Sequence, residues 1–348
     1  MRTIALAGVV VFAVLFVIAS GRVPALGSPG KQVQIGALEL EAEWTGETLP
    51  VPLDHPMGIA VDAAGRVLVA DGGNARLVVF DGEGDVLEVW PLPGNARPVA
   101  IAARPDGTVL VTDYTGDRVL VLGEHGEILD EWGTTGSGEG EFRAPSGIAV
   151  TPAGTVIVVE FMGQRVQELD TEGKFVRFVT GGDAGRRHAE GRPLIPGMEE
   201  MAGMEGMARM RAGNPHGLFL FPSAAAIGPD GTLYVSNTHA YEILVFDTDN
   251  ELRDAWGTKG SDAGEWEVPV GMATDAAGTL YVADSANFRV QAMGRNGEPR
   301  LVSRADERWW VTTRRIYSPT DVAVGPDGKL YVADFAASRV QRFQVLLR

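Results

Sequence analysis

Cysteine is absent from this chain of 348 residues. Its absence excludes a disulfide framework, a thiolate zinc site, an iron–sulfur cluster, a cysteine nucleophile and a lipoprotein anchor. Basic residues are in deficit: 30 Lys and Arg stand against 46 Asp and Glu, a formal charge of −16. Such a field repels phosphate backbones, so nucleic acid is excluded as a general partner. Histidines number only five. What is abundant is apolar side chain, at 45%, with 45 glycines and 20 prolines. That composition buries a core and rules out wholesale disorder.

The apolar run at the start is short. Ile4 to Ala19 carries no charge, with Arg2 before it and Arg22 after it. Sixteen residues in helix reach ~24 Å, less than a ~30 Å hydrocarbon core. Residues 1–27 therefore read as a signal peptide or signal anchor, cleaved at Ala19-Ser20-Gly21 or Ala25-Leu26-Gly27 or else retained. Either way Arg2 favours staying inside, which places the rest of the chain outside the cytoplasm. Retention would make the membrane a partner through residues 4–20. Residues 28–33 form a linker.

Six copies of one unit fill the remainder. They start at His55 (HPMGIAVDAAGRVLVADGGNARLVVF), Arg97, Ala144, Pro222, Val268 (VPVGMATDAAGTLYVADSANFRVQAM) and Ser318 (SPTDVAVGPDGKLYVADFAASRVQRF). Each reads as a strand, a Pro-Asp-Gly or Ala-Ala-Gly turn, a second strand, a polar loop and a third strand. A fourth strand follows in DVLEVW, EILDEWG, KFVRFV and ELRDAWG. Four antiparallel strands recurring every 40–50 residues or so predict the blades of an all-β six-bladed propeller over 34–348. The last copy ends after its third strand. Residues 34–46, with ALELEAEWTG, have the form of the missing fourth strand, and pairing them with the last copy removes two exposed edges.

The pattern P-x-G-I-A-V, L-Y-V-A-D, N-x-R-V resembles the NHL-repeat family of β-propellers. It is carried by Pro56 to Val61, by Leu280 to Asp284 with Asn287, Arg289 and Val290, and by Leu330 to Asp334 with Arg339 and Val340. The resemblance covers about 310 residues. It implies a propeller fold, distantly similar to extracytoplasmic NHL sensor domains and to the peptidyl-hydroxyglycine amidating lyases. The latter implies three zinc-binding histidines with a tyrosine and an arginine. Here the blades carry Pro98-Val99, Pro145-Ser146, Pro269-Val270 and Pro319-Thr320 where a histidine is wanted. His216, in Asn214-Pro215-His216-Gly217, sits ahead of its strand.

A carboxylate closes the second strand in five copies, and an arginine follows five residues later: Asp71 and Arg76, Asp113 and Arg118, Glu160 and Arg165, Asp284 and Arg289, Asp334 and Arg339. Joint presence predicts a structural ion pair across the loop. The fourth copy has Asn237 and Glu242 instead. In a four-stranded meander the loop between strands two and three emerges on the face where blades are joined. That face should hold Asn237, His239, Tyr241, Glu242 and His55, with His125 on the opposite face. It also receives the one large insertion, at about 182–221, where Met198, Met201, Met204, Met207 and Met210 recur every third residue. Gly133 to Gly140 reads as a flexible connection.

Three functional readings follow. The first is a scaffold binding a protein, peptide or small-molecule ligand through this face, with His55, His216, Asn237, His239, Tyr241 and Glu242 as contacts under a Met-rich lid. The second is a metal-dependent enzyme, with zinc as in the amidating lyases or calcium as in sugar lactonases. The third is copper(I) held by the five thioethers of the insertion.

Overall fold

The computed structural model describes residues 37–46, 49–190, 214, 217–303 and 316–347. The signal or anchor segment, the linker, the five insertion methionines and His216 lie outside these residues. Among the described residues no helix is long and apolar enough to cross a membrane.

Strand β1 (Ala37–Trp44) precedes five complete blades. Blade 1 is β2 (Pro56–Val61), β3 (Val67–Asp71), β4 (Arg76–Phe80) and β5 (Val86–Pro91). Blade 2 is β6 (Pro98–Ala103), β7 (Val109–Asp113), β8 (Arg118–Leu122) and β9 (Ile128–Trp132). Blade 3 is β10 (Pro145–Val150), β11 (Val156–Glu160), β12 (Arg165–Leu169) and β13 (Phe175–Phe178), followed by helix α1 (Gly182–Glu190). Blade 4 is β14 (Pro222–Ile227), β15 (Leu233–Asn237), β16 (Glu242–Phe246) and β17 (Leu252–Trp256). Blade 5 is β18 (Pro269–Thr274), β19 (Leu280–Asp284), β20 (Arg289–Met293) and β21 (Pro299–Val302). The last blade has β22 (Pro319–Val324), β23 (Leu330–Asp334) and β24 (Arg339–Leu346), and β1 completes it in the order β1-β24-β23-β22. β1 runs antiparallel to β24, from Ala37 opposite Leu346 to Trp44 opposite Val340. The innermost strands touch in sequence around the ring, and β22 meets β2 to close it. The molecule is a six-bladed β-propeller.

The turn between the first two strands of every blade holds a glycine in the left-handed region: Gly65, Gly107, Gly154, Gly231, Gly278 and Gly328, with φ from 77° to 88°. A side chain there would be strained, which explains the recurrent Ala-Gly and Asp-Gly pairs. The second strands are buried throughout, for example Val67, Leu68, Val69 and Ala70 at 0% exposure. Between blades, each fourth-strand tryptophan covers a turn glycine of the next blade: Trp44 over Gly84, Trp90 over Gly126, Trp132 over Gly173 and Trp256 over Gly297. A Cβ on any of these glycines would fall within 3 Å of the indole. That close approach seals neighbouring sheets.

Candidate functional site

The first strand of each blade opens with a proline opposite the residue that ends the second strand, such as Pro56 opposite Asp71. The incoming connection and the loop between strands two and three therefore share one face. Just after the proline the register shifts in all six blades. Such bulges re-aim side chains, and here they turn residues inward. The position after the proline contributes Met57, Val99, Ser146, Ser223, Val270 and Thr320 to a central channel, one residue from every blade. The next position is Gly58, Ala100, Gly147, Ala224, Gly271 and Asp321, of which Ala100, Ala224, Gly271 and Asp321 line the channel. Phe161, Thr238 and Val268 complete a cavity of about 60 Å³.

Asp321 is the one ionisable residue among those lining residues. Oδ2 accepts the Ile59 N–H at 3.0 Å and Oδ1 accepts the Val322 N–H at 2.9 Å. The first of these bonds joins the last blade to the first. Asp321 is part-buried in this wall, and the burial of its carboxyl raises its pKa to about 7.

The five carboxylate–arginine couples meet at the ends of the second and third strands: Asp71–Arg76 at 2.7 Å, Asp113–Arg118 at 3.0 Å, Glu160–Arg165 at 2.6 Å, Asp284–Arg289 at 3.0 Å and Asp334–Arg339 at 3.0 Å. Each carboxylate also accepts a backbone N–H of the incoming connection, as from Asp54, Arg97, Arg143, Glu267 and Ser318. Arg165 donates to the carbonyls of Ser137, Gly138 and Glu141, and Arg289 to those of Ser261, Asp262 and Glu265. The connection at Gly133 to Gly140 is thus an ordered loop: Arg165 holds its backbone and Phe142 plugs its end at 0% exposure.

The fourth blade keeps the arrangement with its polarity changed. Asn237 Oδ1 still accepts a connection N–H, from Leu220 at 2.6 Å. Its Nδ2 donates to Leu218 O at 2.9 Å and to Glu242 Oε1 at 2.8 Å. Glu242 Oε2 lies 3.0 Å from His188 Nε2 on α1. The insertion's first turns are tied to blade 4 here, and α1 contacts the outer strand β17. His188 was not singled out by sequence reasoning, because its partner is 54 positions away.

The remaining candidates separate. His239 follows Thr238 at the channel mouth and sits against Phe221 and Phe161, with ring centroids 4.8 and 6.2 Å away. Burial pushes its imidazole below the ordinary histidine value. Tyr241 turns the other way, under the ammonium of Lys259 at 4.8 Å. His55 lies beside Asp54, Nδ1 to Oδ1 2.5 Å, and 4.5 Å from the ring of Phe335. Near it Tyr114 packs against Met57, Val99 and Phe335, and burial raises its phenol to about 12. His125 is an exposed turn residue 3.2 Å from Glu88. Among the described residues no three His, Cys, Asp or Glu side chains converge to hold a metal ion. Among the described residues, then, neither a three-histidine zinc site nor a three-carboxylate calcium site is formed.

The NHL-repeat family model matches residues 53–80 and 317–343, in the first and last blades. No curated protein sequence matches the chain. Solved structures share the fold at low identity. A streptogramin B lyase superposes with TM-score 0.55 at 14% identity, over 88% of this chain and 98% of that one. A catalytically inactive virginiamycin B lyase variant from Staphylococcus aureus, crystallised with quinupristin, gives 0.56 at 17%, over 89% and 88%. A gluconolactonase from Xanthomonas campestris gives 0.58 at 14%, over 84% and 86%. The fold is that of an NHL-type six-bladed propeller.

Proposed function

From an NHL-type propeller with an open central channel, we propose a binding protein for a small or slender ligand that enters the channel from the loop face. One observation carries this reading: every blade contributes a side chain to one mostly apolar cavity with a single carboxylate in its wall. Apolar walls with a few placed polar groups are the usual composition of small-molecule sites. The hydroxyls there are largely engaged: Ser223 and Thr238 lie 2.7 Å apart, and Thr238 donates to Pro269 O. Export of the propeller, proposed on the run Ile4 to Ala19, would put this mouth in contact with extracytoplasmic ligands.

The test is a small-molecule library screened against the full chain by ligand-observed NMR, repeated with Val270→Phe, which fills the channel. Hits that vanish in the variant support the site. Hits that persist place binding elsewhere and overturn it.

A second reading, an enzyme acting at the same mouth, draws on His239. Burial lowers the pKa of its half-buried imidazole and so favours the neutral form that a general base requires, and similar folds are named lyases and a gluconolactonase. Turnover of glucono-lactone or quinupristin by the full chain, lost in His239→Ala, would favour it over simple binding.

A further inference from the structure

Two residues after the opening proline, the first strands read Gly, Ala, Gly, Ala, Gly in five blades and Asp in the sixth. The interior is crowded at this level. A Cβ on Gly58 would lie 2.2 Å from Val99 O, and one on Gly271 would lie 2.1 Å from Asp321 Oδ1. A carboxylate fits at one blade because the others are cut back to almost nothing. Its partners differ from those of the other buried acids. Asp71, Asp113, Asp284 and Asp334 each face an arginine, whereas Asp321 receives two backbone N–H groups. A carboxylate offers about four acceptor positions, and the two N–H donors on Asp321 occupy about half of them.

We propose that Asp321 is the recognition group for an organic cation, an alkylammonium or guanidinium head on a slender apolar stem, lodged in the central channel. The proposal rests on the channel-mouth reading and names the chemistry of its ligand. Met57, Val99 and Val270, which line the cavity with Asp321, would pack the stem. A free amine and a lysine or arginine side chain of a peptide share this chemistry. A metal ion suits the site less well, since one carboxylate stands among apolar walls with no second acid or histidine among the lining residues. The overall charge of −16 raises the local concentration of cations around the whole surface.

Binding should be linked to a proton. The groups packed on Asp321 from β2, β18 and β22 are Met57, Gly58, Ile59, Val270, Gly271, Thr320 and Val322. None of them titrates, nor does Ala333 opposite Asp321 on β23. The pH response of this wall is therefore set by Asp321, with His239 at the channel mouth the next titratable group. With the carboxyl at about 7 and an alkylammonium charged to about pH 10, a charged pair forms only once Asp321 has lost its proton. Affinity for the cation should rise about tenfold from pH 6 to pH 8 and then level off.

The experiment compares n-butylammonium, n-butylguanidinium and the neutral n-butanol on the full chain. The tripeptides Ala-Lys-Ala and Ala-Arg-Ala separate peptide side chains from free amines. Calorimetry reads affinity and proton release, and carbon-13 NMR follows the Asp321 carboxyl in the unaltered protein. The expected result is preference for a cation over butanol, the tenfold rise, and a carboxyl pKa lowered by cation and unmoved by butanol. Asp321→Asn keeps an acceptor for Ile59 and should abolish both the preference and the pH dependence. If butanol binds as well as the cations, or calcium chloride alone moves the carboxyl and excludes the amines, the proposal is overturned. Should all these probes fail while library hits still vanish in Val270→Phe, the cation proposal falls and the channel site stands. If hits persist in Val270→Phe, both fall.

Discussion

At the scale of single residues, the arginines that close each blade are unequal, and their exposure ranks them. Arg165 and Arg289 are buried, at 2% and 6% side-chain exposure, and each serves a carboxylate and three loop carbonyls, whereas Arg76 is 20% exposed. Removing a buried partner strands a charge in the interior, so Arg165→Ala should cost about 3–5 kcal/mol. Arg76→Ala should cost less, about 1–3 kcal/mol, because solvent reaches the arginine although Asp71 stays buried. Urea denaturation would measure both, and equal losses would show that burial does not set the value of these couples. In the Asp284/Arg289 double-mutant cycle the combined loss should fall short of the summed single losses by about 0.5–3 kcal/mol; additivity would mean no interaction. The couples were legible in the sequence because carboxylate and arginine recur at one spacing. The three carbonyl contacts of each buried arginine were not, since backbone groups carry no sequence signal. A repeated G-T-x-G-S-x-x-G-E-[FW] pattern at Gly133 to Phe142 and Gly257 to Trp266 was the available hint.

At the scale of elements, β1 has the most consequence for its length. It supplies the outer strand of the last blade and sends Trp44 against Phe80 and Tyr331, at 5.0 and 5.8 Å between ring centroids. Phe80 belongs to the first blade and Tyr331 to the last, so one side chain spans the closure. Deleting residues 34–46 should expose the β24 edge and empty that seam, producing aggregation or a broadened, lower melting transition in calorimetry. Trp44→Ala alone should cost about 3–5 kcal/mol from lost burial and the cavity left behind. An unchanged transition after the deletion would refute the closure argument. Strands were readable because alternation and turn glycines recur six times. Helix α1 went unseen: nine residues with two glycines, at Gly182 and Gly185, give little helical signal. It forms because Ala184 and Ala189 pack against the core between blades 3 and 4.

At the scale of the whole molecule, a formal chain charge of −16 implies self-repulsion that folding must overcome. Sodium chloride shortens the Debye length from about 30 Å at 0.01 M to about 8 Å at 0.15 M. The melting temperature should therefore rise across that range. A flat or falling temperature would mean that local pairs, not net charge, dominate.

Composition and periodicity by themselves determined the fold class, the blade number, the closing strand and the face that carries the loops, because each is a local pattern repeated until chance is excluded. The site was decided elsewhere. Asn237 and Glu242, chosen for their departure from the repeat, turn inward to each other and to His188, while Tyr241 leaves for Lys259. Asp321 could have been found by aligning the six copies, since five small residues and one acid share its column. Its meaning could not. A carboxylate becomes the lone acid of a mostly apolar wall only when six first strands are brought to one axis and a neighbour 262 positions away supplies its hydrogen bond. That convergence is a property of the closed ring and of no single repeat.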